Sequence, residues 1–248
     1  YRDAIPPEEV RYNTIARPDR AVRTPVTWAE YLEAMETVDK AIVFGIARVQ
    51  RGEGTDEAFS LENPNDAVYE FVQAHPEKLI GFLSVDPNDP NALEEIERSV
   101  SDLGLKGIKM GPIYQDFDPL DSRALAIYER AQALQLPIIL HQGTSYPREA
   151  RLIYASVIAW DEVAIRFPEL KIILAHMAHP WQIDCIVTVR KQPNVYADVS
   201  ALFYRPWSLY NCMRLATEWG VLEKLLFGTD FPVATPEESM DGLRRVNK

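Results

Sequence analysis

The stretch Lys171-Ile172-Ile173-Leu174-Ala175-His176 is a short apolar run closed by an imidazole. The same form recurs along the chain. Leu105-Lys106-Gly107-Ile108-Lys109-Met110 carries a lysine near its end, and Pro137-Ile138-Ile139-Leu140-His141 ends in a histidine. Downstream, Val195-Tyr196-Ala197-Asp198-Val199 and Leu225-Leu226-Phe227-Gly228-Thr229-Asp230 place aspartates at or near the end of an apolar run. Two further runs, Ala41-Ile42-Val43-Phe44-Gly45-Ile46 and Leu79-Ile80-Gly81-Phe82-Leu83-Ser84-Val85, precede them. Near-continuous apolar text of this length is what a parallel strand covered on both faces requires.

Amphipathic text lies between the runs. Residues 91–100 and 125–134 have apolar side chains at helical spacing, and Asp121-Ser122 supplies an N-cap for the second. The repeat is about 30 residues, the size of one βαβ step. No Gly/Ser-rich linker and no shift in composition interrupts residues 1–248, so the expectation is one α/β domain with a parallel sheet. An open doubly wound sheet would carry a glycine-rich phosphate turn, and no such sequence is present. The polar strand-end residues Lys109, His141, His176, Asp198 and Asp230 converge on one cavity only if the sheet closes into a barrel, where strand C-termini share one face.

The composition bounds the function. The 248 residues match a single barrel, and 47% hydrophobic with 25% charged residues is ordinary for a globular chain. A formal net charge of −11 argues against a nucleic-acid partner or an anionic membrane surface. No run approaches the ~18 apolar residues of a membrane span. The two cysteines, Cys185 and Cys212, read as buried free thiols, so no disulfide framework is expected and a cytoplasmic location is. Among four histidines, His75 reads as a surface residue at a helix end. His141 and His176 directly end strands, and His179 follows closely. With Asp230 in an equivalent place, they form a set whose imidazoles and carboxylate suit Zn²⁺, Mn²⁺ or Fe²⁺. There is no G-x-S-x-G elbow, which disfavours covalent acyl chemistry.

Residues 136–144, 173–181, 194–200 and 226–232 resemble, in order, the fifth- to eighth-strand motifs of the amidohydrolase-2 family, and residues 107–117 are similar to its fourth. The resemblance spans about Ala41 to the C-terminus. It implies a (β/α)8 TIM-like barrel with one divalent metal, zinc first and manganese or iron as alternatives. It implies that His141 and Asp230 are metal ligands, and that His176 and Asp230 are the catalytic pair that moves protons on and off a metal-activated water. Lys109 and Arg205 are candidates for substrate contact, Arg205 through a bidentate grip on a carboxylate. His179 supports the site from behind or caps the following helix, and Asp198 belongs either to the site or to strand-end hydrogen bonding. The expected partner is a small molecule, and the resemblance also implies a homo-oligomer.

Two departures stand out. The family's H-x-H motif on its first strand is absent, and Ala41 begins what corresponds to the second strand, with residues 1–38 as the loop and helix before it. The expectation is therefore a barrel missing its first strand, incomplete at both termini. Ala178 occupies a place where the family usually has glycine. The first functional reading is a metal-dependent hydrolase of a small carboxylated or cyclic compound. A decarboxylase or hydratase on the same scaffold is the alternative, and a catalytically inactive barrel fragment is the third reading.

Overall fold

The computed structural model describes residues 26–49, 63–145 and 150–246. The runs read as strands all become strands: β1 (Ala41–Val43), β2 (Leu79–Gly81), β3 (Leu83–Ser84), β4 (Ile108–Met110), β5 (Ile138–Leu140), β6 (Ile172–Leu174), β7 (Val195–Asp198) and β8 (Leu225–Leu226). β2 and β3 are successive halves of one extended segment. The first half pairs with β1, and the second begins the parallel series β3-β4-β5-β6-β7-β8. Phe82 joins the halves, its N–H donating to the Val43 carbonyl at 2.9 Å. The ladders are shorter than the apolar runs because residues such as 44–46 and 227–230 leave the sheet for the loops at its C-terminal edge.

Helices alternate with the strands: α1 (Trp28–Ala34), α2 (Pro64–Ala74), α3 (Ala92–Ser101), α4 (Pro112–Gln115), α5 (Ser122–Ala133), α6 (Ile158–Arg166), α7 (Gln182–Lys191), α8 (Pro206–Glu218) and α9 (Pro236–Arg245). Their starts are locally encoded. Asn63 and Asp121 cap α2 and α5 through their side chains, while Thr27 with Glu30 and Thr235 with Glu238 form reciprocal capping boxes on α1 and α9. None of the described helices is long and apolar enough to cross a membrane.

Side-chain parity divides the sheet into two faces. In parallel register Met110 pairs with Leu140, Leu140 with Leu174, and Leu174 with Ala197. All four are fully buried. Gly81 belongs to this outer face, since a Cβ there would stand 3.1 Å from Val68 and Val72 of α2. The opposite row, Ser84-Lys109-Ile139-Ile173-Tyr196, faces the barrel interior. Trp160 of α6 anchors the outer layer: its indole N–H donates to Gln142 Oε1 at 2.7 Å, and Gln142 donates in turn to the Ala155 carbonyl. Cys185 and Cys212 are buried free thiols in this layer, as expected.

No strand pairing joins β8 to β1 among the described residues, so the sheet is a partial (β/α)8 barrel. Helix α1 crosses that flank. Tyr31 packs edge-on against Phe71 of α2 and against Phe231 beyond β8, at ring separations of 5.8 and 5.4 Å. Apolar side chains on the two flanking strands and the residues after them, Ile42, Phe44, Leu226 and Phe227, stay exposed. This is the exposed apolar surface expected of an open edge, and α1 covers part of the flank.

The segment after β1 is held by side chains rather than by a ladder. Ser84 Oγ accepts the Ala47 N–H at 3.0 Å and donates to the Lys109 carbonyl at 2.7 Å. Gln115 Nε2 donates to the carbonyls of Ala47 and Val85. Buried Asn65 completes the set by accepting the Ser84 N–H at 2.7 Å and donating to the Ser84 carbonyl at 3.1 Å. Removing Asn65 strands two buried backbone groups, so Asn65→Ala is expected to cost about 2–3 kcal/mol. Urea unfolding measures this, and a midpoint unchanged from wild type would refute it.

Candidate active site

The interior row leads directly to the site. Lys109 lies on it, and His141 and Asp198 stand two residues beyond Ile139 and Tyr196, on the same face at neighbouring heights. His176 is one residue out of phase with this alternation. Its backbone compensates by turning left-handed (φ 60°), followed by Met177 (φ 44°) and Ala178 (φ 52°). Three successive non-glycine residues at positive φ store strain at this strand end. Asp230, past the end of β8, is also left-handed (φ 60°).

The loops after β5 and β6 touch backbone to backbone. Thr144 N–H donates to the His179 carbonyl at 2.8 Å, and a Cβ on Gly143 (φ 106°) would stand 2.3 Å from that same oxygen. Only glycine permits both the angle and the approach.

His141 is buried against the Tyr114 ring at 4.4 Å and the His176 ring at 5.0 Å. Its Nε2 has no hydrogen-bond partner. Burial, followed by the neighbouring His176 and Lys109 charges, holds its pKa well below the usual imidazole range. His141 is therefore a neutral imidazole with one nitrogen unengaged, the state in which histidine binds a metal. Asp230 lies among protein atoms, yet 39% of its side chain is reached by solvent. Burial raises its pKa, against the pull of His176, Lys109 and Arg205.

His176 Nε2 stands 4.0 Å from Asp230 Oδ1. On its other side, His176 Nδ1 is 2.7 Å from Ser200 Oγ. Asp198 Oδ1 accepts the His176 backbone N–H at 3.0 Å, the Ser200 backbone N–H at 3.0 Å and the Ser200 hydroxyl. Asp198 thus does both things weighed for it: it terminates the strand and holds a site residue. Ser200 lies within the seventh-strand motif of residues 194–200. Its signal was its position two residues past Asp198, but its partner is 24 residues away in sequence.

Lys109 is buried, its ammonium 4.7 Å above the Phe44 ring and within electrostatic reach of Asp198 and Asp230. Burial lowers its pKa from 10.5 to about 8, against the opposing effect of the two carboxylates. Arg205 is the N-cap residue of α8, lies over the Tyr204 ring at 4.4 Å and donates to the Ala201 carbonyl at 2.6 Å, with its charge felt at Asp230 and His179. His179 Nδ1 is 2.7 Å from Gln182 Nε2, at the first residue of α7, and its ring lies within electrostatic reach of Arg205 and His176. Burial and the Arg205 charge bring its pKa down to about 4. His75 packs edge-on against Phe71 in the helical layer.

A second concavity of about 420 Å³ lies between Phe203 and α9. Its charged groups are engaged in holding the helix: Glu238 accepts the Thr235 N–H at 2.9 Å, and Arg245 pairs with Asp241 at 3.5 Å. Lys109, His141, His176 and Asp230 lie instead at the strand ends.

A family model described as Amidohydrolase matches residues 33–248, and the chain belongs to this family. It is similar to the gamma-resorcylate decarboxylase of Polaromonas sp. (strain JS666), with 28% identity over 229 residues, 71% of this chain and 67% of that protein. Among solved structures, an uncharacterised TIM-barrel protein from Bordetella bronchiseptica matches with a TM-score of 0.73 at 18% identity, over 96% of this chain and 82% of the other. A dihydroxybenzoic acid decarboxylase from Polaromonas sp. JS666, with bound manganese and the inhibitor 2-nitroresorcinol, matches with a TM-score of 0.54 at 20% identity, over 74% of this chain and 68% of the other. The TIM-barrel expectation is thereby met.

Two predictions follow from strain and charge. Ala178→Gly relieves a left-handed backbone while loosening the unfolded chain, for a net gain of roughly 0.5–1 kcal/mol; a lower urea midpoint would contradict it. Lys109 is depressed in the folded state, so folding opposes its charge below pH 8, and that penalty fades as pH rises from about 8 towards 10.5. Lys109→Met is expected to be more stable than wild type by roughly 2–3 kcal/mol at pH 7, with the gap closing by about pH 10. Parallel stability curves across that window would refute the assignment.

Proposed function

We propose that this site performs metal-dependent, nonoxidative decarboxylation of a small hydroxylated aromatic acid. The observation that carries the reading is the buried, unpartnered His141 Nε2 in one cluster with Lys109, His176 and Asp230. The decarboxylase relatives support this alternative over the hydrolase reading placed first from sequence.

His141 and the open carboxylate of Asp230 fit as ligands to a divalent cation: one offers a neutral nitrogen, the other an anionic oxygen. They are part of a shell rather than a whole one, because no group of three or more His, Cys, Asp or Glu among the described residues is placed to hold a metal. A divalent cation held there would supply positive charge against the carboxylate of the substrate. The relative with bound manganese supports Mn²⁺ beside Zn²⁺ as the ion to supply.

The protein's own groups do the rest. Lys109, and Arg205 with its charge felt at Asp230, offset the charge of an aryl acid entering a chain of net charge −11. In the reaction the aryl–carboxylate bond breaks, CO₂ leaves, and the electron pair kept by the ring carbon takes up one proton. His176, through Nε2, is the group that holds and delivers that proton, with the Asp230 carboxylate 4.0 Å away.

The test is a panel of hydroxybenzoates and of lactones, assayed for CO₂ release and for hydrolysis with Mn²⁺ or Zn²⁺ supplied. CO₂ release from a hydroxybenzoate is expected, falling about 10²–10⁴-fold in Asp230→Asn and in His176→Ala. Lactone hydrolysis with every hydroxybenzoate left intact would restore the hydrolase reading.

A further inference from the structure

We infer that Ser200 and Asp198 are positioning residues that set the protonation pattern of His176, holding its proton on Nδ1 and leaving Nε2 free to take and give a proton at the cavity. The inference deepens the proposed reaction and rests on that reading for its kinetic consequence.

The direction of the hydrogen bonds follows from what each group can donate. Asp198 Oδ1 already accepts two backbone N–H groups, from His176 and Ser200, both at 3.0 Å. An oxygen with two donors aimed at it is held as an acceptor, so the Ser200 hydroxyl spends its only proton on that same oxygen. Ser200 Oγ then has only lone pairs to offer its other neighbour, His176 Nδ1, at 2.7 Å. A contact of that length is a hydrogen bond only if Nδ1 carries the proton. In the neutral ring Nε2 must then be unprotonated, and Nε2 is the atom that stands 4.0 Å from Asp230.

The arrangement is a carboxylate–hydroxyl–imidazole chain, in which the hydroxyl conveys the preference of the carboxylate to the ring. It is also firmly built. Ser200 and His176 are buried, at 4% and 9% exposure, so water cannot readily substitute for either bond. Gly228 brings the β8 strand end close behind the serine, where a Cβ would stand 3.2 Å from Ser200 Cβ. Asp198 has a second function in the same geometry: by accepting the His176 N–H it steadies the left-handed residue that brings the ring to the site.

The experiment is ¹⁵N–¹H correlation spectroscopy of the histidine-labelled full chain, without metal and at alkaline pH. The four histidines give few signals, and His176 is assigned by its loss in His176→Asn. The expected wild-type pattern is protonated Nδ1 and unprotonated Nε2. Ser200→Ala should move His176 towards the Nε2–H form that an unconstrained imidazole favours. With the aryl acid turned over by the wild type, the same variant should lower kcat about 10- to 100-fold while KM stays within about twofold, as expected for a residue that orients a site group. Ser200→Thr, which keeps the hydroxyl, should recover most of both.

An Nε2–H wild-type ring would overturn the inference, as would a Ser200→Ala protein with unchanged tautomer and unchanged kcat. If Ser200→Ala does not fold, the wild-type tautomer alone decides. The spectroscopic result needs no substrate. An Nδ1–H ring in a chain that decarboxylates nothing would reject the proposed reaction and leave the positioning role standing.

Discussion

The parallel hydrogen-bond register from β3 to β7 is the constraint on which the rest of the structure depends. In-register pairing makes laterally adjacent residues face the same way, and a slip of one residue would send each side chain to the opposite face. Ser84, Lys109, Ile139, Ile173 and Tyr196 therefore form one interior row, and His141 and Asp198 extend it towards the cavity. The fully buried row on the other face, from Met110 to Ala197, makes the register costly to change. Packing on the outside of the sheet thus determines which reactive groups meet on the inside.

The site departs from that regularity where the alternation would put a residue on the wrong side. His176 reaches the cluster only because its backbone and the next two residues adopt positive φ. The strain is offset locally: Asp198 takes the His176 N–H, the His176 carbonyl takes the His179 N–H, and the Ala178 carbonyl takes the Trp181 N–H. Gly143 lets the neighbouring loop approach closely enough for Thr144 to bond the His179 carbonyl. The cluster is consequently rigid at β5, β6 and β7. Among the described residues the flank between β8 and β1 is different, bridged by the aromatic contacts of α1 rather than by a ladder.

Electrostatics gives the cluster its character. The chain is acidic overall, yet Lys109 is buried among strand ends with Asp198 and Asp230 as its nearby carboxylates. Burial pushes the Lys109 amine and the His141 imidazole towards their neutral forms, and the Asp230 carboxyl towards its protonated form. All three shifts share one cause, the low polarisability of the surroundings. They bring the titrations of Lys109 and Asp230 closer to neutrality than their solution values.

Much of this was legible in the linear sequence. Apolar runs at barrel spacing, each closing on a polar residue, were enough to locate the strands and to single out Lys109, His141, His176 and Asp230, because burial on both faces and placement at a strand end are local properties. The helix starts were legible for the same reason, as at Asp121. The choice between hydrolase and decarboxylase was not, since the same side chains serve both. Nor was the role of Ser200, whose partner is remote in sequence, or the free nitrogen of His141, which depends on everything around it. The sequence by itself determined which residues reach the cavity face; the tertiary structure decided which of them touch, which are left unpartnered and which are desolvated, because hydrogen-bond pairing and burial depend on neighbours that only the closed packing of distant strands supplies.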